Sequence, residues 1–221
     1  VGQNSMYSNT TGLVNVTLGT STLRNNKRGC FNTAIGHQTL YYNTTGSRNT
    51  GVGHNSLFMN NQGYQNVAVG DNSQFSNQNG YYNTSVGHKS LYANQNAAYN
   101  TAIGHNTLYA NRGNYNTAIG NSALYYNQSG KNLTATGFQS LYKNTTGYYN
   151  AAYGNRSLYS NTTGILNSAS GFNSLYNNTT GSYNSASGAF SLNKNTTGTF
   201  STATGIRALY SNKSGCYNTA T

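Results

Sequence analysis

The sequence predicts an all-β fold, a parallel β-solenoid with one coil for about 17 residues. Glycine opens each of thirteen repeats from Gly2 to Gly205, and every step is 17 residues except the step of 16 from Gly104 to Gly120. No segment has the 3.6-residue periodicity of a helix, and a Gly or Asn every five to seven residues leaves room only for short strands.

Numbering each repeat from its opening glycine as column 1 gives the template G-x-x-S-L-Y-x-N-x-x-G-x-Y-N-T-A-I. Column 8 is Asn in all thirteen repeats, and column 14 is Asn in eleven, with Leu133 and Ser201 as exceptions. Column 11 is Gly in twelve repeats, with Ala97 as the exception, and in the 16-residue repeat this glycine comes one residue early, at Gly113. We expect two stacked amide ladders, and glycines at positions of positive φ or close backbone approach.

The repeat divides into four elements in chain order. Columns 14 to 17, as in 100–103, predict one strand, and the glycine of column 1 bends the chain. Columns 3 to 6, as in 106–109, predict a second strand, and columns 7 to 12 turn the chain back. Successive coils would then hydrogen-bond in parallel at about 4.8 Å per coil.

Alternation along the strands indicates which columns face inward. Column 5 is Leu in eleven repeats, and column 16 is mostly Ala, so we expect these two columns to fill the coil. Column 6 is Tyr or Phe in eleven repeats, and column 13 is mostly aromatic. Because a thin coil cannot also hold both aromatic columns, at least one should pack between chains. This predicts a homo-oligomer, with a parallel trimer favoured.

Two short motifs resemble known families. The element N-T-A-I-G, at 32–36 and 116–120, resembles the head repeat of YadA-like trimeric autotransporter adhesins. That resemblance implies a left-handed parallel β-roll and three chains. The longer element L-Y-x-N-T-T-G-x-Y-N-T-A is similar to repeats of bacterial and phage tail-fibre-like proteins.

Composition argues against several classes of function. The chain has a net charge of +11, but its twelve bases are dispersed and only Lys27 and Arg28 are adjacent, which does not predict a nucleic-acid partner. No segment is apolar enough to span a membrane. Asp71 is the only acid, so a pair of catalytic carboxylates cannot form within one chain. We expect no enzymatic activity and no cofactor.

All four histidines and the only acid share column 2. They are His37, His54, Asp71, His88 and His105, and stacked coils would place them in one row. Imidazole and carboxylate at such spacing can bind zinc, nickel or copper, so this row is a candidate metal site. The alternative is an exposed turn position that tolerates polar residues.

The two cysteines, Cys30 and Cys216, both occupy column 12, eleven coils apart. At about 4.8 Å per coil they would lie roughly 50 Å apart, too far for a disulfide within one chain. They are either free thiols or candidates for disulfides between subunits.

Eight asparagines of column 8 begin an N-x-S/T sequence and are candidate glycosylation sites. They are Asn9, Asn43, Asn127, Asn144, Asn161, Asn178, Asn195 and Asn212. The alternative is that Asn-Thr-Thr-Gly is favourable turn chemistry. An inward-facing Asn cannot serve both roles.

Columns 15 and 17 carry paired hydroxyls in five of the later repeats. The pairs are Thr134 and Thr136, Ser168 and Ser170, Ser185 and Ser187, Thr202 and Thr204, and Thr219 and Thr221. Rows of T-x-T on a flat solenoid face resemble those of ice-binding proteins.

The combined expectation is one repeat array over 1–221, a segment of an extracellular or cell-surface fibre with a structural and adhesive role. Repetition lets weak contacts, for example with cell-surface glycans, add up along the solenoid. One alternative is a self-assembling filament that acts purely as a scaffold, and a second is an ice-binding solenoid.

Overall fold

The computed structural model describes residues 2–221, which form a parallel β-solenoid as predicted, with no helix among them. The chain divides into two compact units of the same architecture, one ending at Arg112 and the other beginning at Gly113. The boundary falls inside the 16-residue repeat, the only step that departs from the period.

Each coil contributes one short strand, formed by columns 15 to 17. The first unit contains β1 (Val16–Leu18), β2 (Thr33–Ile35), β3 (Thr50–Val52), β4 (Val67–Val69), β5 (Thr84–Val86) and β6 (Thr101–Ile103). The second contains β7 (Thr117–Ile119), β8 (Thr134–Thr136), β9 (Ala151–Tyr153), β10 (Ser168–Ser170), β11 (Ser185–Ser187), β12 (Thr202–Thr204) and β13 (Thr219–Ala220). Neighbouring strands within a unit pair in parallel at a shift of one repeat, as Thr33 with Thr50 and Ser168 with Ser185. Within each unit, residues of one column therefore lie in register in one row.

The prediction of a second strand in columns 3 to 6 is wrong. This segment is a series of turns in which columns 3 and 5 take positive φ, as in Gln38 (53°) and Leu40 (55°). The backbone still bonds to neighbouring coils, because Gln38 N donates to Thr20 O at 3.0 Å and Leu40 N to Ser56 O at 3.0 Å. Left-handed conformation costs a non-glycine residue about 1–2 kcal/mol, and the ladder of bonds to both adjacent coils holds it in place.

Leucine and alanine fill the coil, as their columns predict. In the first unit, Leu23, Leu40 and Leu57 pack with Ala34 and Ala68 in one fully buried cluster. Column 4 hydroxyls are buried beside them, and Ser56 Oγ donates to Ala68 O at 2.8 Å. The interior is thin and partly polar, so its stability depends on satisfied hydrogen bonds as well as on apolar contact.

The two asparagine columns meet at the glycine of column 11. Gly46 O accepts 2.9 Å bonds from Asn43 Nδ2 in column 8 and from Asn32 Nδ2 in column 14 of the preceding coil. A Cβ on Gly46 would lie 2.4 Å from Gly63 O, so a side chain would push the coils apart. Column 1 glycines have a different role, since Gly53 takes a φ of 131° that other residues rarely adopt.

Candidate binding surfaces

The aromatic rings of column 6 form a ladder, which we call the column 6 ladder. In the second unit, Tyr142 stacks on Tyr125 at 5.4 Å and on Tyr159 at 5.2 Å between ring centroids, and Tyr159 stacks on Tyr176 at 5.0 Å. Partial burial and the adjacent Tyr126 raise the pKa of Tyr142 to about 12. These half-buried rings find partners within the chain, so this column does not require a second chain to cover it.

Column 13 places a second set of rings on the surface. Its exposed members are Phe31, Tyr82, Tyr99, Tyr115, Tyr149, Tyr183, Phe200 and Tyr217. Some stack along the column, as Tyr183 on Phe200 at 4.7 Å, but their outer edges stay in solvent. The case for a homo-oligomer therefore depends on column 13 more than on column 6.

The column 2 row brings its acid between two histidines. His54 Nδ1 lies 2.8 Å from Asp71 Oδ1, and His88 Nε2 lies 3.5 Å from Asp71 Oδ2. His37 stacks on His54 at 5.4 Å, and His105 stacks on His88 at 5.1 Å. This is a solvent-exposed row of contacts on one face of the first unit.

The contacts in this row join each side chain to its neighbour in the next coil. Within residues 2–221, no group of three His, Cys, Asp or Glu side chains is arranged to hold a metal ion. A metal at His37, His54, Asp71, His88 and His105 would have to displace the contacts with Asp71, and the site stays a prediction.

The candidate glycosylation sites lie in the amide ladder. Asn43 Nδ2, for example, donates to Asn26 Oδ1 and Gly46 O and is fully buried. Burial is equally complete at Asn127, Asn144, Asn161, Asn178 and Asn195, while Asn9 and Asn212 are half-buried. A nitrogen that is buried and bonded in this way cannot carry a sugar in the folded chain, so the geometry favours the ladder interpretation.

Both cysteines are free thiols, Cys30 half-buried in the first unit and Cys216 exposed in the second. The Thr199 hydroxyl donates to Cys216 Sγ at 3.2 Å, and this bond lowers the pKa of the Cys216 thiol. Cys30 Sγ instead accepts a bond from the Leu13 backbone at 3.3 Å. A disulfide between subunits remains a prediction.

The outer face of the sheet has a different chemistry in each unit. In the first unit, column 17 is apolar throughout, from Leu18 to Ile103. In the second, β10 to β13 carry two hydroxyl rows in register. The rows are Ser168, Ser185, Thr202 and Thr219 in column 15, and Ser170, Ser187 and Thr204 in column 17, and all are exposed.

Sequence reasoning missed a basic groove of about 770 Å³ in the second unit, which we call the lysine groove. Its lining residues come from columns 7 and 9 and are Lys143, Ser160, Thr162, Asn177, Thr179, Lys194, Thr196 and Lys213. The three lysines are far apart in the chain and look dispersed. Column numbering would have placed Lys143 and Lys194 in one row.

Among residues 2–221 no helix is long and apolar enough to cross a membrane. No family model matches the chain, and no curated protein or solved structure matches it.

Proposed function

We propose that the chain is a structural and adhesive segment of an extracellular or cell-surface fibre. The observation that carries this proposal is the alignment of the columns into rows within each unit, so that the residues of one column recur at intervals of about 4.8 Å. Such repetition lets weak individual contacts act together. A net charge of +11 with one acid adds a general attraction to acidic surfaces.

The proposed fibre is a homo-oligomer, with a trimer favoured or a filament as the alternative. Support comes from the exposed rings of column 13 and from the apolar column 17 face of the first unit. Sedimentation of the chain, compared with the double variant Tyr149→Ser and Tyr183→Ser, tests this. We expect the variant to dissociate, and a wild type that is monomeric at high concentration contradicts the proposal.

Attachment is tested by binding of the fluorescently labelled chain to cell surfaces before and after enzymatic removal of surface glycans. Saturable binding that falls after glycan removal supports adhesion. Absence of binding, together with filaments in electron micrographs, supports the scaffold alternative instead.

Ice binding is a second candidate, favoured by the exposed hydroxyl rows of β10 to β13. Hydroxyls within a row are spaced by about 4.8 Å and the rows by about 6.6 Å, a regular two-dimensional array. Thermal hysteresis is the direct test. It should be present in the wild type, lost in the Ser185→Lys, Thr202→Lys variant, and kept in the Thr146→Lys, Thr163→Lys control, whose exposed residues lie in column 10.

A further inference from the structure

We propose that the lysine groove binds one extended strand of an acidic polysaccharide, whose carboxylate or sulfate groups pair with Lys143, Lys194 and Lys213. This inference rests on the proposed adhesive function, because it names the class of ligand that one surface of the fibre would hold. The groove extends from the repeat that Gly137 opens to the repeat that Gly205 opens, so the strand would run across successive coils.

Charge is the first argument. Three ammonium groups line one groove, and the chain's only acid, Asp71, lies in the other unit. Lys143 Nζ lies 5.4 Å from the centre of the Tyr159 ring, and Lys194 Nζ lies 5.1 Å from that of Tyr210. An ammonium group held against an aromatic ring is partly ordered before a ligand arrives, which lowers the entropy lost on binding.

The threonines of column 9 supply the second argument. Thr162 Oγ1 donates to Thr179 O at 3.0 Å, Thr179 Oγ1 to Thr196 O at 3.0 Å, and Thr196 Oγ1 to Lys213 O at 2.9 Å. Each hydroxyl proton is used within the protein, so the oxygens of this row can act only as acceptors towards a ligand. Sugar hydroxyls are donors that match a row of acceptors.

The same features disfavour a single strand of DNA. Proteins that hold single strands stack bases on open aromatic faces, and here Tyr142, Tyr159 and Tyr176 stack on each other at 5.2 Å and 5.0 Å. A DNA backbone also offers no hydroxyl donors to the threonine row. Sugar hydroxyls and spaced anionic groups together fit the groove better than phosphates alone.

The test uses fluorescence anisotropy with three labelled probes, namely heparin, neutral dextran of similar length, and oligothymidine. The groove variant is Lys143→Gln, Lys194→Gln, Lys213→Gln. Its matched control, Lys27→Gln, Lys89→Gln, Lys131→Gln, removes the same charge outside the groove. Gln already occurs in column 3 at Gln38 and in column 9 at Gln128, and columns 7 and 12 hold other uncharged polar residues at Asn177 and Ser182. Both variants should therefore fold, and circular dichroism checks this.

We expect heparin to bind the wild type, with a roughly tenfold weaker Kd in the groove variant and little change in the control. Equal weakening in both variants would mean that net charge alone attracts the probe, and would overturn the proposal. Absence of heparin binding, or stronger groove-dependent binding of oligothymidine, would overturn it as well. If the groove variant still attaches to cells, the adhesive function does not depend on this groove. If heparin binds the groove but the chain does not attach to cells, only the proposed adhesive function is contradicted.

Discussion

Asn43 Nδ2 donates a 2.8 Å hydrogen bond to Asn26 Oδ1, its counterpart one coil earlier. Asn60 Nδ2 in turn donates to Asn43 Oδ1 at 2.7 Å, so each amide of the column 8 ladder joins two coils. The coils are therefore held together by side chains inside the solenoid as well as by backbone bonds.

Replacing Asn43 with Ala should destabilise the fold strongly. The change removes the donor to Asn26 Oδ1 and one of two acceptors of Asn60 Nδ2, which keeps its bond to Gly63 O at 3.0 Å. A buried polar group that loses its partner costs about 1–3 kcal/mol. Denaturant unfolding measures the loss. The control is Thr45→Ala, which removes the N-x-T sequence but touches an exposed side chain, and it should change stability by less than about 0.5 kcal/mol. Equal losses would indicate that the sequon matters and the ladder does not.

Gln74 occupies column 5, where most repeats have Leu, and replacing it with Leu should stabilise the chain. The side chain is fully buried, Nε2 donates to Val67 O at 2.9 Å and Ser85 Oγ at 3.0 Å, and Oε1 has no partner. The double change Gln74→Leu, Ser85→Ala restores the Leu–Ala pair and should raise the free energy of unfolding by about 1–3 kcal/mol. Ser85→Ala alone should lower it, and a gain from that single change would contradict the reasoning.

Tyr142 should make stability depend on pH in the alkaline range. Its folded-state pKa is raised to about 12 from 10, so the folded chain holds this proton more tightly than the unfolded chain. The contribution is fully present below pH 10 and is lost as pH rises through about 12. Unfolding of wild type and Tyr142→Phe across this range measures it, and the Phe variant should be less sensitive. Tyr126→Phe should lower the pKa of Tyr142, because Tyr126 contributes to the shift.

Cys216 should react with alkylating reagents faster than Cys30. Its hydrogen bond from Thr199 lowers the thiol pKa and so raises the thiolate fraction at neutral pH, and the side chain is exposed. Mass spectrometry after brief iodoacetamide treatment measures both rates, and Thr199→Val should slow Cys216 only.

The disulfide prediction has its own readout. Non-reducing electrophoresis of native material should show species larger than the monomer that collapse with reductant and are missing in Cys216→Ser. A single monomer band without reductant rejects the bond between subunits.

Excess zinc or nickel tests the metal prediction at column 2. An ion held by the histidine row would bind only the folded state and raise the melting temperature. The increase should vanish in His54→Gln, His88→Gln and persist in Asn155→Gln, a column 2 change in the second unit. If zinc and nickel do not raise the melting temperature of the wild type, the metal prediction is wrong, and the row consists only of solvent-exposed His–Asp contacts.

Much of the architecture could be predicted from the period alone. A constant repeat forces equal columns into register, so Leu40 lies above Leu57, Asn43 above Asn60, and the glycines fall where coils approach closely. The Leu and Ala core and both amide ladders follow from this. The positions of the hydroxyl rows follow as well.

Tertiary structure decided the features that depend on backbone conformation and on side-chain neighbours between columns. Alternation of Leu40 inward and Tyr41 outward suits a strand, but also suits turns with alternating positive φ, so the pattern could not distinguish them. The lysine groove arises because columns 7 and 9 lie side by side, and that adjacency is set by the path of the turn between them. The period determines which residues stack along the solenoid, whereas the fold of each coil determines which columns meet around it.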